Sequence, residues 1–393
     1  MKKILALLCV VLVCTVLFFT FENQIREGVA ALPDAISTVL LRATSGLLGG
    51  AKEPPPKKEP KANPAPDGQT TAGGETPAPG DGDSAAQHNE NGYYFNQLGA
   101  NAQAIYLAIL QNCTRAGDIS ITLAEPLVYQ DAGKDTPASL SDDMGAIAQP
   151  AMDALAYDHP EIDWIQISKE GEEDGSTFST KYSQKKNAAG EYVTTVTQLT
   201  FRMKLKSGYT NDADIEAYRA ELDTALDAIQ PNGDDRYTQL LSLHNALCAK
   251  VVYDLSAPRA HAAGGALLDG RAVCDGYAKA FKLLCDRAGI PCVIVAGNAQ
   301  QGGRDEPHAW NYVQMEDGAW YAVDVTWDDP ADTSRPPAKD FFLVGADTPR
   351  AGASFAESHI PSGRFSAGDT QVFRFPTLAK KHYLHISTIK KAA

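Results

Sequence analysis

The chain runs to 393 residues and carries a formal net charge of −14 at neutral pH. Binding nucleic acid requires clustered Lys and Arg to neutralise phosphates, so an acidic chain without a long basic stripe excludes that class of partner and suits an acidic extracytoplasmic body. The length would hold two or three average domains, but a low-complexity stretch removes part of it and leaves one or two folded units.

Lys2 and Lys3 precede residues 4–21, which are apolar apart from Thr15 and Thr20. This pattern is a targeting segment rather than part of a fold. The run approaches the roughly 20 residues that cross a bilayer, which favours an uncleaved signal anchor over residues 1–27 above a cleaved signal peptide. Lysines ahead of the run set an N-inside, C-outside orientation. The expected location is therefore the cell membrane, single-pass with an extracytoplasmic C-terminal body, or secretion if the segment is removed. Residues 28–92 read as a juxtamembrane segment and linker. Between Ala51 and about Asn89 the composition shifts to Pro, Gly, Lys, Glu, Ala and Thr, a mixture that cannot bury enough apolar surface to fold.

Folded sequence resumes at Tyr93, where Phe95, Leu98, Ala102, Ile105, Tyr106 and Ile109 recur at helical spacing and predict a helix to about Gln111. Strands are expected over 119–129, 164–168 and, as one or two pieces, 191–205. Helices are expected over 151–157, running up to Asp158-His159-Pro160, and over 213–229 and 237–253. Residues 93–232 thus form a smaller α+β region without a chemical motif, either a lobe on the catalytic unit or a separate small domain. Residues 233–393 form the catalytic domain.

Seven cysteines are present. Cys9 and Cys14 fall in the targeting segment, leaving Cys113, Cys248, Cys274, Cys285 and Cys292, an odd set with no disulfide framework. At least one free thiol outside the cytosol calls for a chemical explanation. Cys274 opens a segment in which Tyr277, Phe281, Leu284 and Ala288 share a helical face, ended by Gly289 and Pro291. A thiol at a helix start is favoured as thiolate by the helix dipole and the free amide groups. Cys248, Cys285 and Cys292 lie in apolar contexts and read as core.

After that helix, 291–297 reads as a buried strand, 298–307 as a Gly-rich polar loop, and His308 as the start of a strand over 308–313. A turn at 316–318 leads into 320–327, which makes a β-hairpin. Its register decides the chemistry, because a one-residue slip flips every side chain to the other face. A two-residue turn at Asp317-Gly318 would place Asp324 and His308 on opposite faces. A three-residue loop, Glu316-Asp317-Gly318 with Gly318 left-handed, pairs Asp324 with Trp310 and sets His308 beside it on the same face. Cys274, His308 and Asp324 then supply a nucleophile, a base and a carboxylate that fixes the base's tautomer.

These residues resemble the transglutaminase-like superfamily in its bacterial secreted or membrane-anchored form. The resemblance rests on residues 264–268, 270–278 around Cys274, 289–292, His308-Ala309-Trp310-Asn311, 320–329 and 341–345, with Asp158-His159-Pro160-Glu161 and Trp164 similar to an upstream region of such proteins. It implies a papain-like α+β fold, with the nucleophile at a helix N-terminus packed on an antiparallel sheet. It also implies acyl transfer from an amide to a cysteine thioester, without metal or organic cofactor. Tyr277, Trp310 and Asn311 match family positions and are expected at the substrate site, though such residues are more often wall and core. Val273 departs from the Gln often found near that place in papain-like relatives, which leaves the second oxyanion donor unassigned. His244, His261 and His359 show no metal-ligand spacing, and Asp328-Asp329-Pro330 reads as a turn. The expected function is an extracytoplasmic thiol enzyme whose acyl-thioester on Cys274 passes to water or to an amine. Its expected partner is a protein or peptide substrate at the cell surface or wall. A catalytically idle binding or scaffold module on the same fold is the alternative.

Overall fold

The computed structural model describes residues 92–130, 136–167, 175–301, 304–330, 335–350, 352–362 and 373–385. The targeting segment and linker expected over residues 1–89 lie outside the described residues. Among the described residues no helix is long and apolar enough to cross a membrane.

Helix α1 (Ala100–Asn112) buries Ala102, Ile105, Tyr106 and Ile109, the spacing that predicted it. It leads into β1 (Gly117–Gln130) and α2 (Leu140–Asp158). Helix α2 starts eleven residues before the helix expected at 151, because Pro150, a residue that usually marks a helix start, is buried inside it. Strand β2 (Thr177–Lys186) has no counterpart in the sequence reading: its residues are nearly all polar and largely exposed, so no alternation marks it. It pairs with β3 (Tyr192–Met203), a single strand, in an antiparallel sheet ordered β1-β3-β2. The strand expected at 164–168 reduces to one bridge, Ile165 to Leu205. Trp164 is held instead by its indole N–H, which donates to the Cys113 carbonyl at 2.7 Å.

Helix α3 (Asp212–Asp227) is capped by the Asn211 side chain, and α4 (Arg236–Lys250) by a capping box between Asp235 and Thr238. Helix α4 stops three residues before the expected end. Val252 and Tyr253 form β4 (Val252–Tyr253), which pairs in parallel with β5 (Arg271–Ala272). Then come α5 (Cys274–Arg287), β6 (Cys292–Gln301), β7 (Arg304–Gln314), β8 (Trp320–Val323), the short turn α6 (Val325–Asp328) and β9 (Phe342–Val344). The chain continues through β10 (Pro349–Arg350), β11 (Ala353–Ser354), α7 (Phe355–Ser358) and β12 (His359–Pro361). The central sheet is antiparallel and ordered β12-β6-β7-β8-β9. The expected loop over 298–307 is a correction: pairing of β6 with β7 continues from Gly297/His308 out to Gln301/Arg304, so His308 sits within a strand. Polar residues there hide the strand from a hydrophobic pattern.

One hydrophobic core includes Tyr94, Ile105 and Phe201 from the front region and Phe281, Val323 and Phe342 from the rear. The Tyr94 hydroxyl donates to the Ile294 carbonyl of β6. Asp158 anchors the front end by accepting from the amides of Tyr94 and Phe95 at 3.0 and 2.9 Å. A smaller cluster on the sheet holds Val295, Trp310, Ala322 and Phe355. The result is the α+β, papain-like arrangement in which a helix beginning at Cys274 packs on an antiparallel sheet.

The placement of α5 depends on Gly276. A Cβ there would lie 2.4 Å from the Ala260 carbonyl oxygen, which itself accepts from the Val273 amide just ahead of the nucleophile. Gly276→Ala should therefore push backbone against backbone and destabilise the fold by about 1–3 kcal/mol. Urea denaturation reads this directly as a lowered midpoint with an unchanged slope.

Candidate active site

Cys274 is the first residue of α5, with Val273 as its N-cap in extended conformation. It is partly exposed, whereas Cys113, Cys248, Cys285 and Cys292 are buried. Burial pushes Cys113 up to about 11 and raises Cys248 and Cys285 further. The amides of the first helical turn have no partner within the helix, so Cys274 meets the positive end of α5.

The hairpin adopts the three-residue loop. Gly318 has φ +79°, the Gly318 amide donates to the Met315 carbonyl at 3.0 Å, and Gln314 pairs with Trp320 and Asn311 with Val323. Asp324 is therefore next in register opposite Trp310. His308 Nε2 lies 2.7 Å from Asp324 Oδ2. The other carboxylate oxygen, Oδ1, accepts the Trp327 amide at 3.2 Å, which makes Asp324 the N-cap of α6. Cys274 lies close enough to His308 to help raise the ring's pKa, and since Nε2 faces Asp324, Nδ1 is the ring nitrogen left for the thiol. The structure thus joins His308 to Asp324 by a hydrogen bond and places Cys274 in the electrostatic neighbourhood of the same ring.

The electrostatics follow from burial against pairing. Burial alone would lower His308, but the Asp324 charge and hydrogen bond, with the contact to Cys274, outweigh it and push the ring up to about 10. Burial would raise Asp324, which is 0 % exposed; the His308 charge and hydrogen bond, then His359, hold it well below the usual carboxylate range. A histidine with a raised folded pKa contributes stability that is full below its unfolded value of about 6.5 and is lost as pH rises through about 10. In urea titrations at pH 6, 8 and 10, the stability advantage of the wild type over His308→Gln should be largest at pH 6 and smallest at pH 10. An advantage that grows with pH would show that His308 is not held as the cation.

Tyr277, Trp310 and Asn311, expected at the substrate site, are each 1 % exposed. The Tyr277 hydroxyl donates to Asp329 Oδ2 at 2.5 Å, and Asn311 Nδ2 donates to the Ala278 carbonyl at 3.0 Å, tying β7 to the nucleophile helix. Trp310 and Trp327 flank the His308 ring, with centroids at 5.9 and 5.0 Å and near-parallel planes. The expected turn at Asp328-Asp329-Pro330 is also more than a turn. Asp328 is buried, accepts the Phe341 amide at 3.0 Å and lies 3.2 Å from His244 Nε2.

His359 is the residue that sequence reasoning missed. Strand β12 adds to the edge of β6, with His359 opposite Ala299, and brings Nε2 to 3.3 Å from Asp324 Oδ2. A signal existed in Gly297: a Cβ there would lie 2.2 Å from the Ile360 carbonyl oxygen, so this glycine permits the close approach of β12. His308, Asp324 and His359 each offer a ligand atom within 4.8 Å of one another. The 2.7 Å separation of His308 from Asp324 is that of a direct charge-assisted hydrogen bond, so protons already hold this cluster together.

Residues 223–325 match the profile of the transglutaminase-like superfamily. The chain is 42 % identical over 62 residues to the kyphoscoliosis peptidase of Mus musculus, covering 14 % of this chain and 9 % of that protein. It is 33 % identical over 94 residues to the Homo sapiens protein of the same name, covering 21 % and 14 %. The chain thus spans about a tenth of the length of these relatives. It is also similar to the crystal structure of a TGase, at 14 % identity over 41 % of this chain and 48 % of that one, with a TM-score of 0.28. Residues 223–325 belong to the transglutaminase-like superfamily.

Proposed function

We propose that Cys274, His308 and Asp324 form the catalytic triad of a thiol enzyme that takes an acyl group from a protein or peptide amide. The observation that carries this reading is a buried carboxylate hydrogen-bonded to one imidazole whose charge is raised in turn by a partly exposed thiol at a helix start. The Cys274 thiolate attacks the amide carbonyl carbon while the helix-start amide of Cys274 donates to the developing oxyanion. His308 Nδ1, as imidazolium, gives its proton to the leaving amine. Water or a second amine then attacks the thioester, His308 removes its proton, and the thiolate leaves. With residues 1–27 as a signal anchor, the substrate is a protein or wall peptide outside the membrane.

Incubation with a pool of glutamine-bearing peptides and a biotinylated primary amine, read by mass spectrometry, tests the reading. Biotin on the peptides reports transfer to an amine; deamidated or cleaved peptides report hydrolysis. Neither product, with Cys274 no more reactive than a denatured thiol, would leave an idle scaffold.

A further inference from the structure

Asp324 Oδ2 serves two imidazoles, His308 at 2.7 Å and His359 at 3.3 Å. We propose that His359 is a positioning residue that donates through Nε2 to Asp324 and keeps the carboxylate turned towards His308. This rests on the triad reading above.

The surroundings of His359 argue for a role beyond packing. The residue is 0 % exposed, stacked on Phe355 at 4.2 Å and 16°, with Trp327 and Trp310 edge-on at 4.5 and 5.0 Å and Phe341 at 5.5 Å. A phenylalanine would fill such an aromatic cage without the cost of desolvating two ring nitrogens. Both nitrogens instead meet polar groups. The ionised Asp324 only accepts, so Nε2 carries the proton, and Nδ1 faces the Ser358 hydroxyl at 3.0 Å. That hydroxyl donates to the Phe355 carbonyl at 3.0 Å, so the tautomer is set from the other side of the ring, by Asp324.

The charged groups facing His359, among the described residues, are Asp324 at the end of β8 and His308 on β7; α7 and Phe341 present aromatic rings, and β6 presents Ala299. Burial, and then the nearby His308 charge acting against the Asp324 hydrogen bond, keep the His359 ring below its ordinary value. His359 therefore donates as a neutral ring and leaves the ion pair to His308. Oδ1 is held by the Trp327 amide, so the two contacts together fix the carboxylate's rotation.

The test uses the full chain and measures the pH dependence of Cys274 alkylation by iodoacetamide. His359→Phe keeps the aromatic stack and loses the donor. It should slow alkylation at pH 7 by about tenfold, within the range a small misplacement of catalytic groups costs. It should also move the acid limb of the profile upward, because a poorly aligned imidazolium supports the thiolate less well. His359→Gln, which can offer an amide N–H near the place of Nε2, should stay within about threefold of the wild type with an unmoved limb. A merely structural role would lower the melting temperature in both variants and leave the limb in place; that result, or wild-type kinetics in His359→Phe, overturns the proposal. If His359→Phe does not fold, Ser358→Ala decides, since removing the hydroxyl 3.0 Å from Nδ1 loosens the ring and should shift the limb in the same direction, and an unmoved limb rejects the idea. His308→Ala separates the underlying reading: equal alkylation of that variant and the wild type removes the triad itself, and the proposal with it.

Discussion

Cys274→Ala should abolish product formation, by at least about 10⁴-fold, because nothing else in the site can carry the acyl group once the nucleophile is gone. The same variant should lose nearly all labelling of the folded chain by a thiol-directed electrophile at neutral pH. Four other cysteines lie among the described residues, and all are buried. Cys285 and Cys248 are raised by burial first and by neighbouring groups second, which keeps them as unreactive thiols. Cys274 differs in being partly exposed, at the start of a 14-residue helix and close enough to His308 to help raise its pKa. Labelling is measured by intact mass before and after tryptic mapping. Equal alkylation of Cys248 or Cys285 in the folded chain would sink the assignment. Folding should survive, since alanine is the best helix former and the thiol is partly exposed.

The sequence carried the site more fully than the fold around it. Cys274, His308 and Asp324 lie on a helix start, a strand and an N-cap, each with a local pattern, and the hairpin register could be deduced from the three-residue loop ending in Gly318. Long-range additions left weaker traces. Strand β2 is almost wholly polar and exists because β3 offers it an edge, so tertiary pairing decided what alternation could not. Residues 298–307 look like a loop by composition, yet β6 and β7 pair residues 298–301 with 304–307. His359 lies 35 residues from Asp324 in the chain, and only the addition of β12 to β6 brings them together. Tyr277, Trp310 and Asn311 were singled out by family position, which carries no sign that each is buried.

Asp324→Asn should lower turnover by about 10⁴-fold, the scale seen when a triad carboxylate becomes an amide. The geometry gives a specific reason. Three N–H groups converge on the two carboxylate oxygens: the Trp327 amide on Oδ1, and the His308 and His359 Nε2 groups on Oδ2. A carboxylate accepts from all of them, whereas an amide has one acceptor and one donor end. With its oxygen towards Trp327, the amide directs N–H groups at both imidazoles and drives the His308 proton onto Nδ1, the nitrogen that must accept from the attacking water or amine in the second half of the reaction. With its oxygen towards the imidazoles, it sets N–H against N–H at Trp327 and unseats the cap of α6. In either orientation the negative charge that outweighs burial at His308 is gone, and the ring falls from about 10 towards the value burial imposes. The thiolate–imidazolium pair then forms poorly near neutrality. Asp324→Asn should therefore show a slow, pH-dependent alkylation of Cys274 that recovers only at alkaline pH, where the thiol ionises unaided. Near-wild-type alkylation at pH 7 would mean that Asp324 neither charges nor orients His308.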